Sequence, residues 1–250
     1  MERYFEINEL GHNIRCKLYC VDPRNIRNTV IFCHGFGGHK DNASAARFAE
    51  KLLGKHKTAA LITFDLPCHG KDVKKKLSLK DCGTYLELVI RYAQEKYPGG
   101  LYGYATSFGA YLTLVYIAGQ GNPFRKILLR SPAVNLYEAF TENILSPDER
   151  EKLELGKEVQ AGFDRKVPVT EAFLREIRET DVRKLDLIDY AEDILILHGT
   201  KDEIIDYAAV QSFSEDQLID LIPFEGADHR FRNPQTMDLA IKQILEFYRL

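Results

Sequence analysis

What most constrains this chain is a rhythm of short, uninterrupted apolar runs separated by longer amphipathic stretches. Thr29–Cys33, Ala59–Phe64, Gly100–Ala105, Lys126–Arg130 and Asp193–Leu197 are such runs, and each ends in a loop of glycine, small or polar residues. Runs this short, flanked by turn residues, read as strands buried on both faces. The stretches between them are long enough for the crossover helices that parallel strands require. The pattern predicts an α/β fold on a mostly parallel sheet. Helices are expected over Ala43–Leu53, from the cap-like Ser78 and Asp81 to about Tyr97, over Phe108–Gly119, and after Asn233–Pro234. Tyr4–Glu9 and Ile14–Val21, joined at Gly11, suggest an antiparallel start. Gln217–Pro223 is expected to be the last strand.

Between Asn135 and about Leu187 the strand rhythm stops. The composition there predicts two or three short helices with a loop around Gly162–Pro168. It mixes Asp164, Arg165 and Lys166 with Phe163, Val167, Val169 and Phe173, most of which are expected to form a small core of their own, with the lining of an acyl pocket as the alternative. The expected organisation is a core of residues 1–134 and 188–250 with an insertion at 135–187. A chain of 250 residues suits one domain so decorated.

Composition narrows the function classes. The net charge is −3 and the longest basic block is Lys74–Lys76, which gives nucleic acid nothing to bind. Met1–Leu10 carries Glu2, Arg3, Glu6 and Glu9, so no secretory signal is expected. No apolar run approaches the roughly 18 residues of a membrane span. Five cysteines without a CxxC pair read as reduced thiols, with neither disulfide frame nor zinc site. A cytoplasmic protein without metal or cofactor is the expectation.

The residues that could carry chemistry sit just past the ends of the apolar runs. Ala105-Thr-Ser-Phe-Gly109 lies where a strand turns directly into a helix. So tight a turn requires small neighbours, which Ala105 and Gly109 provide, and it would lift the Ser107 hydroxyl off the sheet. The plainer alternative is that Ser107 caps the helix. A serine nucleophile needs a base, and the base needs an orienting group. His229, in Gly226-Ala-Asp-His229 before the last helix, and Asp202, past Asp193–Leu197, would stand on the same sheet edge. The chain order Ser, Asp, His favours that constellation. Two backbone N–H groups are candidates for an oxyanion hole: that of Phe108, next to Ser107, and that of Phe36, in His34-Gly-Phe-Gly-Gly38. The glycine-rich loop lacks the spacing of a nucleotide cradle. His69 and His198 read as loop-fixing residues, and Cys68 as a nucleophile only if a base lies nearby.

Together, His34-Gly-Phe-Gly-Gly, Asp65-Leu-Pro-Cys-His-Gly, Ala105-Thr-Ser-Phe-Gly, His198-Gly-Thr-Lys-Asp and Gly226-Ala-Asp-His resemble the α/β-hydrolases, from the third strand to the end of the chain. Ala105 stands where that family's pentapeptide has glycine. The region between Ser131-Pro132 and Asp193 is similar to that of feruloyl and cinnamoyl esterases and of the monoacylglycerol lipase and serine aminopeptidase-like group. The resemblance implies about eight strands, helices on both faces and a small inserted cap. It implies that Ser107 attacks the carbonyl of a small-molecule ester, with a short-chain or aromatic acyl group. His229 would shuttle the proton, Asp202 would hold His229, and water would release the acyl group. A peptidase or amidase with the same residues, or a non-catalytic binding protein on this fold, is the alternative.

Overall fold

The computed structural model describes residues 1–72, 74–163 and 165–250; Asp164 lies outside them. Eight strands form one sheet in the order β1-β2-β4-β3-β5-β6-β9-β10. They are β1 (Glu2–Glu9), β2 (His12–Cys20), β3 (Asn28–Cys33), β4 (Ala59–Phe64), β5 (Gly100–Thr106), β6 (Lys126–Arg130), β9 (Ile194–Gly199) and β10 (Asp220–Phe224). β1 and β2 are antiparallel to their neighbours, as the turn at Gly11 suggested, and the other strands are parallel. The fold is therefore the expected mostly parallel α/β sheet.

Buried strands carry large residues on both sides, and here each side feeds its own helices. Val30, Phe32, Leu61, Tyr104 and Leu128 pack with α1 (Ala43–Lys55) and α8 (Pro234–Tyr248). Ile31, Ile62, Ala105, Leu129 and Ile196 pack with α2 (Leu79–Lys96), α3 (Phe108–Gln120) and α7 (Tyr207–Asp216). Asn42 caps α1 and Ser78 caps α2 through side-chain oxygens, which fixes where each helix leaves its loop. The chain crosses from β3 to β4 on one side and returns to β5 on the other, so β3 and β5 are neighbours. Their carboxyl ends form the switch point where sheets of this kind place ligands.

Between β6 and β9 the chain forms α4 (Leu136–Glu138), which runs into a π-helical turn at Ala139–Ile144. α5 (Pro147–Glu154), a ribbon of β7 (Val159–Ala161) and β8 (Val167–Val169), and α6 (Glu171–Glu179) follow. The ribbon's two strands flank the expected loop, and β8 takes its last two residues, Val167 and Pro168. The apolar residues do not form a separate small core. Phe140, Val167, Val169, Phe173 and Ile177 join the cluster under α2 and α3, while Phe163 is 53% exposed. Polar bonds fasten the same contact: Leu79 N–H donates to Glu176 at 2.7 Å, and the Tyr111 hydroxyl donates to the Thr180 carbonyl at 2.7 Å. Among the described residues no helix is long and apolar enough to cross a membrane.

Candidate active site

Ser107 occupies the turn between β5 and α3 with φ 52° and ψ −117°. A β-carbon in that region is strained, and such strain persists only where the surroundings enforce it. The enforcement is visible. A Cβ added at Gly109 would come 2.3 Å from the Cys33 carbonyl oxygen, and one at Gly35 would come 3.1 Å from Ser107 Cβ. Ser107 N–H donates to the Arg130 carbonyl on β6 at 3.0 Å, and Ala105 is paired with Cys33 on β3. Although Ser107 precedes the first residue of α3, its side chain makes no capping bond. The hydroxyl instead faces His229, with Oγ 2.9 Å from Nε2.

His229 lies in the loop between β10 and α8, held at several points. Its N–H donates to Glu203 at 3.1 Å, and its carbonyl accepts the Ser131 hydroxyl at 3.0 Å. Nδ1 stands 3.0 and 2.8 Å from the two carboxylate oxygens of Asp202. A carboxylate only accepts, so Nδ1 carries the proton and leaves Nε2 free to accept from Ser107. Asp202 has no exposed side-chain surface. Burial pushes its carboxyl group up, but the His229 hydrogen bond and charge and the Ile205 N–H outweigh this and hold it below the ordinary value. Its Oδ1 also accepts from Ile204 and Ile205 N–H at 2.9 and 2.8 Å. Asp202 thus sits in a tight turn after β9 that also orients its carboxylate. The three residues singled out in sequence meet in one line, from Ser107 through His229 to Asp202.

The glycine-rich loop after β3 is pinned from below. Gly38 N–H folds back to the Gly35 carbonyl at 2.9 Å. His34 donates from Nδ1 to the Gly35 carbonyl at 2.8 Å and accepts Leu66 N–H on Nε2 at 3.2 Å. That double role requires a neutral ring, and burial, together with the neighbouring His69, pushes the imidazole down to about 3. His69 donates to the Pro67 carbonyl at 2.7 Å and is likewise driven down by burial, to about 4. The buried Asp65 accepts Lys40 and Lys71 N–H and pairs with the Lys40 ammonium at 3.0 Å, tying the loops after β3 and β4 together. Neither Phe36 nor Phe108 spends its backbone N–H on a described residue. The Phe108 ring is fully buried, so only its backbone is available at the site.

The remaining candidates are structural. His198 Nε2–H donates to the Ile205 carbonyl at 3.1 Å and shapes the turn that carries Asp202. Burial pushes the Cys68 thiol up to about 12, which keeps it protonated and a poor nucleophile. All five cysteines are free thiols. Among the described residues no three His, Cys, Asp or Glu side chains gather as a metal site would need. A cavity of about 250 Å³ opens on Ser107 and His229. Phe36, Ile144, Phe163 and Ile204 form its apolar side. Arg130, Asn42 and Ser44 also line it, a polar side that sequence reading missed because a strand-end arginine looks solvent-exposed.

Solved structures of similar architecture include Est1E from Butyrivibrio proteoclasticus with bound ferulic acid, at 21% identity and a TM-score of 0.76, covering 98% of this chain and 97% of that one. Mouse alpha/beta hydrolase domain-containing protein 10 is 16% identical with a TM-score of 0.71, covering 99% and 98%. The monoacylglycerol lipase of Paleococcus ferrophilus is 17% identical with a TM-score of 0.66, covering 94% and 98%. No curated protein sequence matches the chain. At such identities the likeness is one of fold. The family model described as the alpha/beta hydrolase family matches residues 30–239, a span that takes in every strand-end loop from His34 to His229; the chain belongs to that family and is a hydrolase.

Proposed function

We propose that this protein is a serine hydrolase that cleaves a carboxylic ester through an acyl-enzyme on Ser107. The observation that carries the proposal is the unbroken line of hydrogen bonds from the Ser107 hydroxyl to His229 at 2.9 Å and on to the buried Asp202 at 2.8 Å. In this reading His229 Nε2 takes the hydroxyl proton as Ser107 Oγ bonds to the ester carbonyl carbon. The carbonyl oxygen becomes an oxyanion, which the N–H groups of Phe36 and Phe108 would receive. Collapse breaks the C–O bond, and His229 returns the proton to the departing alcohol. Water, activated by the same imidazole, then releases the acid and restores Ser107. Asp202 keeps the imidazole in the required tautomer and stabilises its positive charge.

Residues 135–187 serve, in the same proposal, as a cap over the Ser107 end of the cavity. Ile144 and Phe163 come from that stretch and line the cavity with Phe36, which suits a short or aromatic acyl group. The fold shared with Est1E, a protein seen with ferulic acid, is in keeping with that choice. The test is fluorophosphonate labelling together with a panel of p-nitrophenyl, feruloyl and aminoacyl-amide substrates. Labelling at Ser107 and ester turnover that disappears in Ser107→Ala are expected. Ester turnover retained in that variant, or cleavage of amides alone, overturns the assignment.

A further inference from the structure

Side chains two residues apart along a strand share a face. Tyr104 and Leu128 pack on the α1 and α8 side, so Thr106 and Arg130 project to that side too. Arg130 follows the rule. Its guanidinium carbon lies 5.4 Å from the Phe231 ring centre, and Nη1 lies 3.4 Å from Met237 Sδ. Yet Thr106 and Arg130 both line the cavity that opens on Ser107. The cavity therefore reaches past the nucleophile, toward the start of α1, where Asn42 and Ser44 complete its wall.

The electrostatics of this inner end are unbalanced. Arg130 is only 6% exposed, and its Nε is buried without a hydrogen-bond partner. No described carboxylate pairs with it, and no described residue lining the cavity carries one, whereas Arg165 lines the same space. A buried cation without a counter-charge is costly, because neither the sulfur of Met237 nor the face of Phe231 replaces lost hydration. A guanidinium offers several N–H donors in one plane, matched to two oxygens of a carboxylate or phosphate. The hydroxyls of Ser44 and Thr106 have no described partner and can donate to the same oxygens. Ser44 also sits in the first turn of α1, the positive end of that helix dipole.

We propose that the ester cleaved at Ser107 bears an anionic oxygen group, carboxylate or phosphate, which enters behind the nucleophile and is bound by Arg130, Ser44 and Thr106; the inference rests on Ser107 acting as the nucleophile. Arg130 is then a specificity-determining residue. The competing account makes it only a prop beneath the loop that carries His229.

The experiment compares the p-nitrophenyl monoester of glutaric acid, an anionic acyl donor, with neutral p-nitrophenyl valerate. Glutarate and inorganic phosphate serve as competitors. The wild-type protein is expected to favour the anionic ester, or to be inhibited by one of the two anions, and the stronger competitor identifies the oxyanion. Arg130→Met should shrink the anionic-to-neutral ratio of kcat/KM, or weaken that inhibition, by about tenfold or more. Thr106→Val and Ser44→Ala should each shrink it several-fold, and they carry the test if Arg130→Met does not fold. No preference and no inhibition in the wild type overturns the proposal. So does an Arg130→Met variant that slows both esters equally, which is the behaviour of a prop. Should no ester be cleaved and no fluorophosphonate label Ser107, the nucleophile assignment fails on its own. Thermal shift with glutarate or phosphate then decides the anion site. A shift lost in Arg130→Met upholds the site, and no shift in the wild type removes it.

Discussion

A methyl group on Gly109 would lie 2.3 Å from the carbonyl oxygen of Cys33, so α3 and β3 meet backbone to backbone beneath Ser107. Neither partner is a flexible side chain that could move aside. Gly109→Ala should therefore cost about 3 kcal/mol or more in folding stability, the upper end of ordinary overpacking. Urea denaturation of the purified variant measures this. A midpoint equal to that of the wild type would show that the turn accommodates a side chain after all.

Ser107 itself holds a backbone conformation that L-residues avoid, with φ at 52°. Glycine relieves that strain and alanine does not. Ser107→Gly and Ser107→Ala both lack the hydroxyl, so their difference isolates the backbone term. Ser107→Gly should be the more stable of the two by about 1 kcal/mol. Thermal melts of the two variants side by side provide the comparison, and equal melting temperatures would mean that the turn is unstrained.

Asp202→Asn keeps the shape of the turn but places an amide where the carboxylate accepted from Nδ1. The ring then has reason to carry its proton on Nε2, the wrong nitrogen for receiving one from Ser107. We expect kcat to fall by about three to four orders of magnitude with KM little altered. Steady-state kinetics on an activated ester tests this, and a drop of less than tenfold would indicate that Asp202 does not orient the base.

Acid should destabilise the fold in a window set by buried imidazoles. His69 and His34 are held neutral below their ordinary range by burial. The unfolded chain takes up a proton on each as pH falls through about 6.5, while the folded chain does not until about 4 for His69. Stability is thus fully present above the unfolded value and is lost on the way down. The loss is on the order of a few kcal/mol for each ring. Asp202, held below the ordinary carboxylate value, adds a further loss at lower pH, as its carboxylate is protonated. Melting temperature should decline from pH 6.5 to 4 and decline less steeply in His69→Asn, whose amide can still donate to the Pro67 carbonyl. A flat profile across that range would contradict the buried, neutral assignment.

The contrast between legible and hidden features follows from what each depends on. Ser107, Asp202 and His229 were readable because each lies at the end of an apolar run, and in a parallel sheet those ends converge. The ribbon at Val159–Ala161 and Val167–Val169 was not, since three-residue strands, one holding Pro168, carry no period. Helix α7 escaped because Tyr207–Asp216 mixes polar and apolar residues without a clear stripe. Gln217 was read into the last strand, but its side chain binds the backbone of Leu185 and Leu187 and the strand begins at Asp220. Arg130 was invisible as a cavity residue, because its position depends on β6 lying beside β5 and on the face that its register selects.

β6 and β9 are ladder partners, with Arg130 opposite Leu197. The chain thus leaves the sheet after Arg130 and rejoins it one strand away, and no other strand pairing depends on what happens between. The stretch between also reaches the Asp202 turn, where the Asn143 amide donates to the Ile204 carbonyl at 2.8 Å, so a replacement would need that donor as well as an apolar underside to seat on α2 and α3. In the proposed reading, the share of substrate selection carried by residues 135–187 can be inherited or exchanged as one continuous piece of gene, while the share carried by Arg130, Ser44 and Thr106 stays with the sheet that holds Ser107.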